Sequence, residues 1–91
     1  MIERVVRIQN ELGLHARAAA RLVRLASRFS SSVSLSRTHL QQQIDGKSIL
    51  GLLLLAAAQG TELRIRVDGL DEEQAMESIV SLIEEKFGEK K

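Results

Sequence analysis

Strict alternation of apolar and charged residues in the segment TELRIRVDG (61–69) constrains the fold more than any other feature of the sequence. Leu63, Ile65 and Val67 fall on one side of an extended chain, and charged residues fall on the other. This pattern is typical of a strand with one face buried and one face in water. Sheets with one solvated face are antiparallel or mostly so, and something else must cover the buried face.

Three further segments predict strands. Residues 2–9 are rich in β-branched side chains, and residues 31–37 alternate between serines and apolar residues. Residues 40–44 predict a shorter and weaker strand, with Thr38 and His39 at the tip of the hairpin that joins it to its predecessor. The chain therefore supplies four strands.

Three segments favour helices that can cover such a sheet. Residues 16–28 carry arginines on one side and apolar residues on the other. Residues 47–60 are almost wholly apolar, and Gly60 suits a helix C-terminal cap. The last helix is expected to start at Asp71, with Gln74 completing a capping box, and to end near Gly88.

The order β-α-β-β-α-β-α predicts an α+β fold, an open-faced β-sandwich with helices on one face of an antiparallel sheet. The 91 residues are expected to form a single domain, 1–91. Cysteine is absent, which excludes disulfides and thiolate metal sites. No apolar run approaches the roughly 20 residues that span a bilayer, and no signal peptide is recognisable, so a cytoplasmic protein without membrane insertion is expected.

Charge is unevenly distributed along a chain whose net charge is only +1. Residues 1–48 contain eight Lys/Arg and three Asp/Glu, whereas residues 49–91 contain five and nine. The small net charge and the presence of only two aromatic residues, both phenylalanine, argue against a nucleic-acid partner. The basic excess instead lies in the half of the chain that contains His15.

His15 stands immediately before the helix at 16–28, which carries Arg17, Arg21, Arg24 and Arg28 within about 60° on the helical wheel. A helix N-terminus offers unpaired N–H groups and partial positive charge, which suit a phosphate carried on the imidazole. Neutral imidazole is also a usable nucleophile. The alternative is a surface histidine in an N-cap position beside an ordinary solvated face. A metal site is not expected, because His39 is the only other imidazole.

Two segments carry a resemblance to a known family. GLHARAAARLVRLASRF (13–29) closely resembles the active-site segment of the histidine-containing phosphocarrier (HPr) family of the bacterial phosphoenolpyruvate-dependent phosphotransferase system. GKSILGLLLLAAAQGTEL (46–63) resembles the second signature of that family, a serine at the start of a short helix. The resemblance extends over essentially the whole chain. It implies a four-stranded antiparallel sheet with three helices on one face.

The resemblance also implies roles for particular residues. His15 corresponds to the phosphoryl acceptor, modified on Nδ1, and Arg17 to the residue that contacts the phosphoryl group. Ser48 corresponds to the serine that an ATP-dependent kinase phosphorylates in many members; the alternative is a serine that only caps its helix. Ala18 departs from the pattern, because the family motif has proline there and this chain has none. Since the N–H at this position of a helix is unpaired anyway, the site is expected to survive.

The second helix has more apolar residues than one helix face can bury, so some of Ile49, Leu50 and Leu53 are expected to be exposed as a docking surface. In the family, this helix and the histidine-bearing helix contact partner enzymes; the matching positions on the latter are Ala20, Arg21 and Arg24. The implied partners are the phosphoenolpyruvate-protein phosphotransferase (enzyme I), a downstream enzyme II A-type acceptor and a serine kinase/phosphorylase. A monomer without cofactors is expected. The alternative is a small regulatory or binding domain in which His15 is inert.

Overall fold

The structure of the chain is a computed structural model that describes residues 1–91. Four strands and three α-helices follow one another in the order expected from the sequence, and a short 3₁₀ helix, Lys86–Gly88, follows the last of them. The elements are β1 (Ile2–Arg7), α1 (Ala16–Ala26), β2 (Ser32–Arg37), β3 (Ile44–Asp45), α2 (Ile49–Leu55), β4 (Glu62–Asp68) and α3 (Glu72–Glu84).

The strands form one antiparallel sheet in the order β1-β4-β2-β3. Leu63, Ile65 and Val67 of β4 are buried, as the alternation predicts, and Val33 and Leu35 of β2 are buried beside them. The buried residues of α1, α2 and α3 join the same apolar cluster. The open-faced sandwich with an antiparallel sheet and three helices is therefore confirmed.

The strand predicted at residues 40–44 is wrong in most of its length. Only Ile44 and Asp45 pair with β2, opposite Leu35 and Ser34. Residues 40–43 are exposed and lie outside any strand. Leu40 remains half-exposed, residues 41–43 are glutamines, and only Ile44 of this segment joins the core. The predicted reversal near Thr38 and His39 is present as a turn.

The helix predicted at residues 16–28 is two residues too long, since α1 ends at Ala26. The helix predicted at residues 47–60 is also too long. It ends at Leu55, and Ala56, rather than Gly60, takes the left-handed cap conformation with φ 52°. The reason is tertiary: the Ala57 carbonyl accepts the Leu14 N–H at 2.8 Å, and the Gly60 N–H donates to the Ile8 carbonyl at 2.8 Å. These bonds tie residues 57–60 to the loop before α1 and exclude them from the helix.

Asp71 occupies the N-cap position of α3, but its side chain does not cap the helix, and the predicted capping box with Gln74 is wrong. The Asp71 carboxylate instead accepts the backbone N–H groups of Ser30 and Ser31, at 2.9 and 3.0 Å, and the Ser31 hydroxyl. The Ser31 hydroxyl bond, followed by the Ser30 N–H bond, lowers the pKa of Asp71 to about 2. The carboxylate thus joins the start of α3 to the segment before β2.

This depressed pKa predicts an acid-dependent loss of stability. The Asp71 contribution is fully present above the pKa of the unfolded chain, near 4, and is lost as the pH falls towards the folded value of about 2. We expect Asp71→Asn to lower the free energy of unfolding at pH 6, and the difference from the parent to shrink below pH 4. Urea unfolding at several pH values measures this. A difference independent of pH would contradict the assignment.

None of the three α-helices is long and apolar enough to cross a membrane.

Candidate functional site

His15 is the N-cap residue of α1, with an extended backbone (φ −78°, ψ 179°). Its Nδ1 accepts the backbone N–H of Arg17 at 3.3 Å, so this ring nitrogen faces the unpaired amides at the helix N-terminus. The His15 carbonyl accepts the Ala19 N–H at 2.8 Å and begins the helix. The imidazole is 26% exposed. The geometry therefore places one ring nitrogen of a partly exposed imidazole where the helix favours negative charge.

The four arginines expected on the first helix do not form one uniform solvated face. Arg28 lies beyond Ala26, the last residue of α1. Arg17, Arg24 and Arg28 are exposed, whereas Arg21 is half-buried and its Nη1 donates to the Phe87 carbonyl. The Arg17 guanidinium makes no hydrogen bond or ion pair, although its backbone N–H contacts the His15 ring. Arg17 is thus the arginine whose side chain is free beside His15, while Arg21 holds the chain segment that follows α3.

Sequence reasoning missed two residues of the site, Glu89 and Asn10. The Glu89 Oε2 contacts His15 Nε2, and its Oε1 accepts the Asn10 Nδ2–H at 2.8 Å. Glu89 lies 74 positions from His15, in a charged segment at the end of the sequence, so no local pattern links the two residues. One local feature indicates a chain reversal here, namely Gly88 after the buried Phe87. This feature does not indicate which residues the reversed segment contacts.

The environment of Glu89 favours its ionised form. Burial of the carboxyl raises its pKa, but the hydrogen bonds from Asn10 and His15 and the charge of Arg21 outweigh burial, so the pKa of Glu89 lies below its ordinary value. Basic side chains predominate around it. Glu89 also lines an open groove of about 440 Å³, whose other charged lining residues are Glu11, Arg17, Arg21, Lys90 and Lys91.

Ser48 and Ala18 lie at well-defined positions in the two helices. Ser48 is the N-cap of α2, and its Oγ accepts the Gly51 N–H at 3.1 Å. No hydrogen bond joins Ser48 to His15 or Arg17, although α1 and α2 pack against each other. Ala18 is fully buried in the first turn of α1, and the helix begins directly after His15 without the proline of the family motif.

The exposed apolar surface of α2 is formed by Ile49, Leu50, Leu53 and Leu54. Leu50 and Leu54 are 68% and 71% exposed, while Leu52 and Leu55 of the same helix are buried. Leu54 belongs to this surface in addition to the three residues named from the sequence. Ala20 of α1 is half-buried, and Arg24 is exposed. The chain holds no cluster of three or more His, Cys, Asp or Glu side chains suited to a metal ion.

Comparison with known proteins agrees with the family resemblance. A family model described as "PTS HPr component phosphorylation site" matches residues 2–85. The phosphocarrier protein HPr of Xylella fastidiosa (strain Temecula1) is 46% identical over 89 residues, 98% of each chain, and that of Cupriavidus necator is equally similar over the same shares. The crystal structure of HPr-C-His from Thermoanaerobacter tengcongensis superposes with a TM-score of 0.93, at 41% identity and 100% coverage of both chains. The chain therefore belongs to the HPr family of phosphotransferase-system components, to which these phosphocarrier proteins also belong.

Proposed function

We propose that this chain accepts a phosphoryl group on Nδ1 of His15 from enzyme I, the phosphoenolpyruvate-dependent donor, and passes it to an enzyme II A-type acceptor. The observation that carries the proposal is the 3.3 Å contact between His15 Nδ1 and the Arg17 N–H. When Nδ1 bonds to phosphorus, a phosphoryl oxygen takes its place as acceptor for the helix amides. Dipole and amide interactions of about 0.3–1 kcal/mol hold the group without trapping it.

The experiment is incubation of the purified protein with phosphoenolpyruvate and enzyme I. We expect one phosphoryl group per chain, labile in acid and stable in base, as a phosphorus–nitrogen bond requires. An inert binding domain of the same fold predicts no modification. The chain releases no small-molecule product of its own, because it holds the phosphoryl group covalently between donor and acceptor. We propose that it does so as a cytoplasmic monomer.

Arg17 is proposed to contact the phosphoryl group, because its guanidinium is exposed beside His15 and has no other partner. Charge-assisted hydrogen bonds to phosphate are strong, and we expect Arg17→Ala to slow phosphoryl transfer roughly tenfold or more. The measurement is the initial rate of transfer from enzyme I. Arg28→Ala removes an exposed arginine just beyond the end of α1 and should leave that rate unchanged. Equal rates for both variants would exclude this role for Arg17.

The exposed apolar surface of α2 is proposed to dock the partner enzymes, together with Ala20, Arg21 and Arg24 of α1. This proposal is supported by the exposure of Leu50 and Leu53, which form an apolar centre. The neighbouring helix α1 carries guanidinium groups beside that centre. Partner surfaces commonly combine an apolar centre with a charged rim. The basic rim favours acidic partners and faster encounter at low salt.

Ser48 is proposed as a regulatory phosphorylation site for a serine kinase/phosphorylase. A phosphoserine there adds about 1.5–2 negative charges at the end of α2 that adjoins the docking surface. We expect Ser48→Asp to weaken association with enzyme I roughly tenfold at low salt and less at high salt. Isothermal titration at two salt concentrations measures this. Ser81→Asp adds the same charge at an exposed position of α3 and should have no effect; an equal loss for both variants would refute a specific role.

A further inference from the structure

The segment after α3 turns back towards His15 through an unusual backbone. Lys86, Phe87 and Gly88 all have positive φ angles, of 60°, 57° and 81°. Phe87 is fully buried and its carbonyl accepts Arg21 Nη1, so this reversal is anchored to the core and to α1. The position of Glu89 is therefore set by the fold, and is not that of a free tail.

Asn10 fixes the Glu89 carboxylate from the other side. The Asn10 side chain is fully buried, and its Nδ2 donates both to Glu89 Oε1 and to the Gly13 carbonyl, each at 2.8 Å. The reverse orientation of the amide would set its oxygen against two acceptors, so the two bonds determine which way the group points. The second carboxylate oxygen, Oε2, is left to contact His15 Nε2.

We propose that Glu89, held by Asn10, is a positioning residue that keeps a proton on His15 Nε2 and so leaves the Nδ1 lone pair at the helix N-terminus for phosphorus. An ionised carboxylate only accepts hydrogen bonds, so the nitrogen that contacts it must carry the hydrogen. The same logic orients imidazoles that are paired with carboxylates in hydrolases. The inference rests on the proposed phosphoryl-carrier function and extends it to residues 74 positions away in the sequence.

The transfer step balances with this proton in place. The Nδ1 lone pair forms the bond to phosphorus, while the bond between phosphorus and the donor atom breaks and its electron pair stays on the donor. The ring, still protonated on Nε2, becomes cationic, and the Glu89 carboxylate neutralises it. On transfer to the acceptor, the Nδ1–phosphorus electron pair returns to Nδ1, and neutral imidazole is the leaving group. Without the Nε2 proton the leaving group would be imidazolate, which leaves far less readily.

The test compares the parent protein with Glu89→Gln, which keeps the size of the side chain and removes its charge. Both proteins are phosphorylated, separated from the donor, and followed for loss of the phosphoryl group between pH 5 and 9. We expect the variant to keep its phosphoryl group roughly three- to tenfold longer at pH 7, with the onset of hydrolysis moved to lower pH. The titratable and charged groups around Glu89 that are the same in both proteins are His15, Arg17, Arg21, Glu11, Lys90 and Lys91.

A second measurement needs no phosphoryl transfer. In the unphosphorylated protein, the Nε2 proton of His15 should be protected from exchange and visible by NMR, and it should be lost from the spectrum of Glu89→Gln. Glu84→Gln, at an exposed position at the end of α3, is the matched control and should behave as the parent in both assays.

Three outcomes would overturn the inference. One is equal phosphoryl lifetimes in parent and Glu89→Gln, another is a shorter lifetime in the variant, and the third is an Nε2 proton that exchanges equally fast in both. A parent protein that accepts no phosphoryl group at all would instead refute the carrier function, and the inference with it. The two failures are therefore distinguishable.

Discussion

Replacing His15 with alanine is expected to abolish phosphoryl acceptance from enzyme I completely, while the protein remains folded. The imidazole supplies the only nitrogen nucleophile at the N-terminus of α1, and alanine supplies none. Loss of the ring also removes the bond from Nδ1 to the Arg17 N–H, which should cost about 0.5–1 kcal/mol of stability, as the loss of an N-cap does. The measurements are phosphoryl incorporation and urea unfolding of the same preparation.

His39→Ala is the matched control, because His39 is the other histidine of the chain and lies in the exposed turn after β2. It should accept a phosphoryl group at the rate of the parent. Residual incorporation into His15→Ala, or its loss in His39→Ala, would refute the assignment of His15 as the acceptor.

Gly13→Ala is expected to cause the largest loss of stability among single-methyl substitutions near the site. Gly13 has φ +67°, and a Cβ there would lie 2.5 Å from the Ala57 carbonyl oxygen and 2.9 Å from the Ala58 Cα. Both are backbone atoms, so a side-chain rotation cannot relieve the contact. We expect a loss of roughly 2–4 kcal/mol in the free energy of unfolding, measured by urea denaturation.

Gly60→Ala separates the cost of steric contact from the cost of a left-handed backbone conformation. Gly60 also has positive φ, +88°, but a Cβ there meets nothing within 4 Å. This variant should lose only the cost of a left-handed backbone, about 1–2 kcal/mol. Equal losses for the two variants would show that contact with residues 57–58 does not matter. Gly13→Ala should also slow phosphoryl acceptance, since the bond from Leu14 N–H to the Ala57 carbonyl sets the loop that leads to His15.

The sheet and the amphipathic helices could be predicted from the sequence because they depend on local periodicity. The alternation of β4 and the apolar stripe of α1 each require a partner surface, and the core supplies it. The N-cap position of His15 could be predicted for a related reason, whereas its role as phosphoryl acceptor follows from the family resemblance and stays a prediction. An N-cap and the first residues of a helix are close in sequence, so their geometry follows from the start of the helix.

The features that local pattern did not predict are set by long-range contacts. The end of α2 depends on hydrogen bonds from Ala57 to Leu14 and from Gly60 to Ile8, which override a good helical composition. Asp71 bonds to Ser30 and Ser31 rather than to its own helix. The same holds for Glu89, which reaches His15 only because three successive residues take positive φ angles.

The position of the phosphorus atom tests the central claim most directly. The measurement is phosphorus–nitrogen coupling in the NMR spectrum of the phosphorylated, ¹⁵N-labelled protein, read together with the amide signal of Arg17. The structure predicts coupling to Nδ1 of His15 and a displaced Arg17 amide, because a phosphoryl oxygen replaces Nδ1 as its acceptor. Coupling to Nε2, phosphorus on another residue, or an unmoved Arg17 amide would contradict the account.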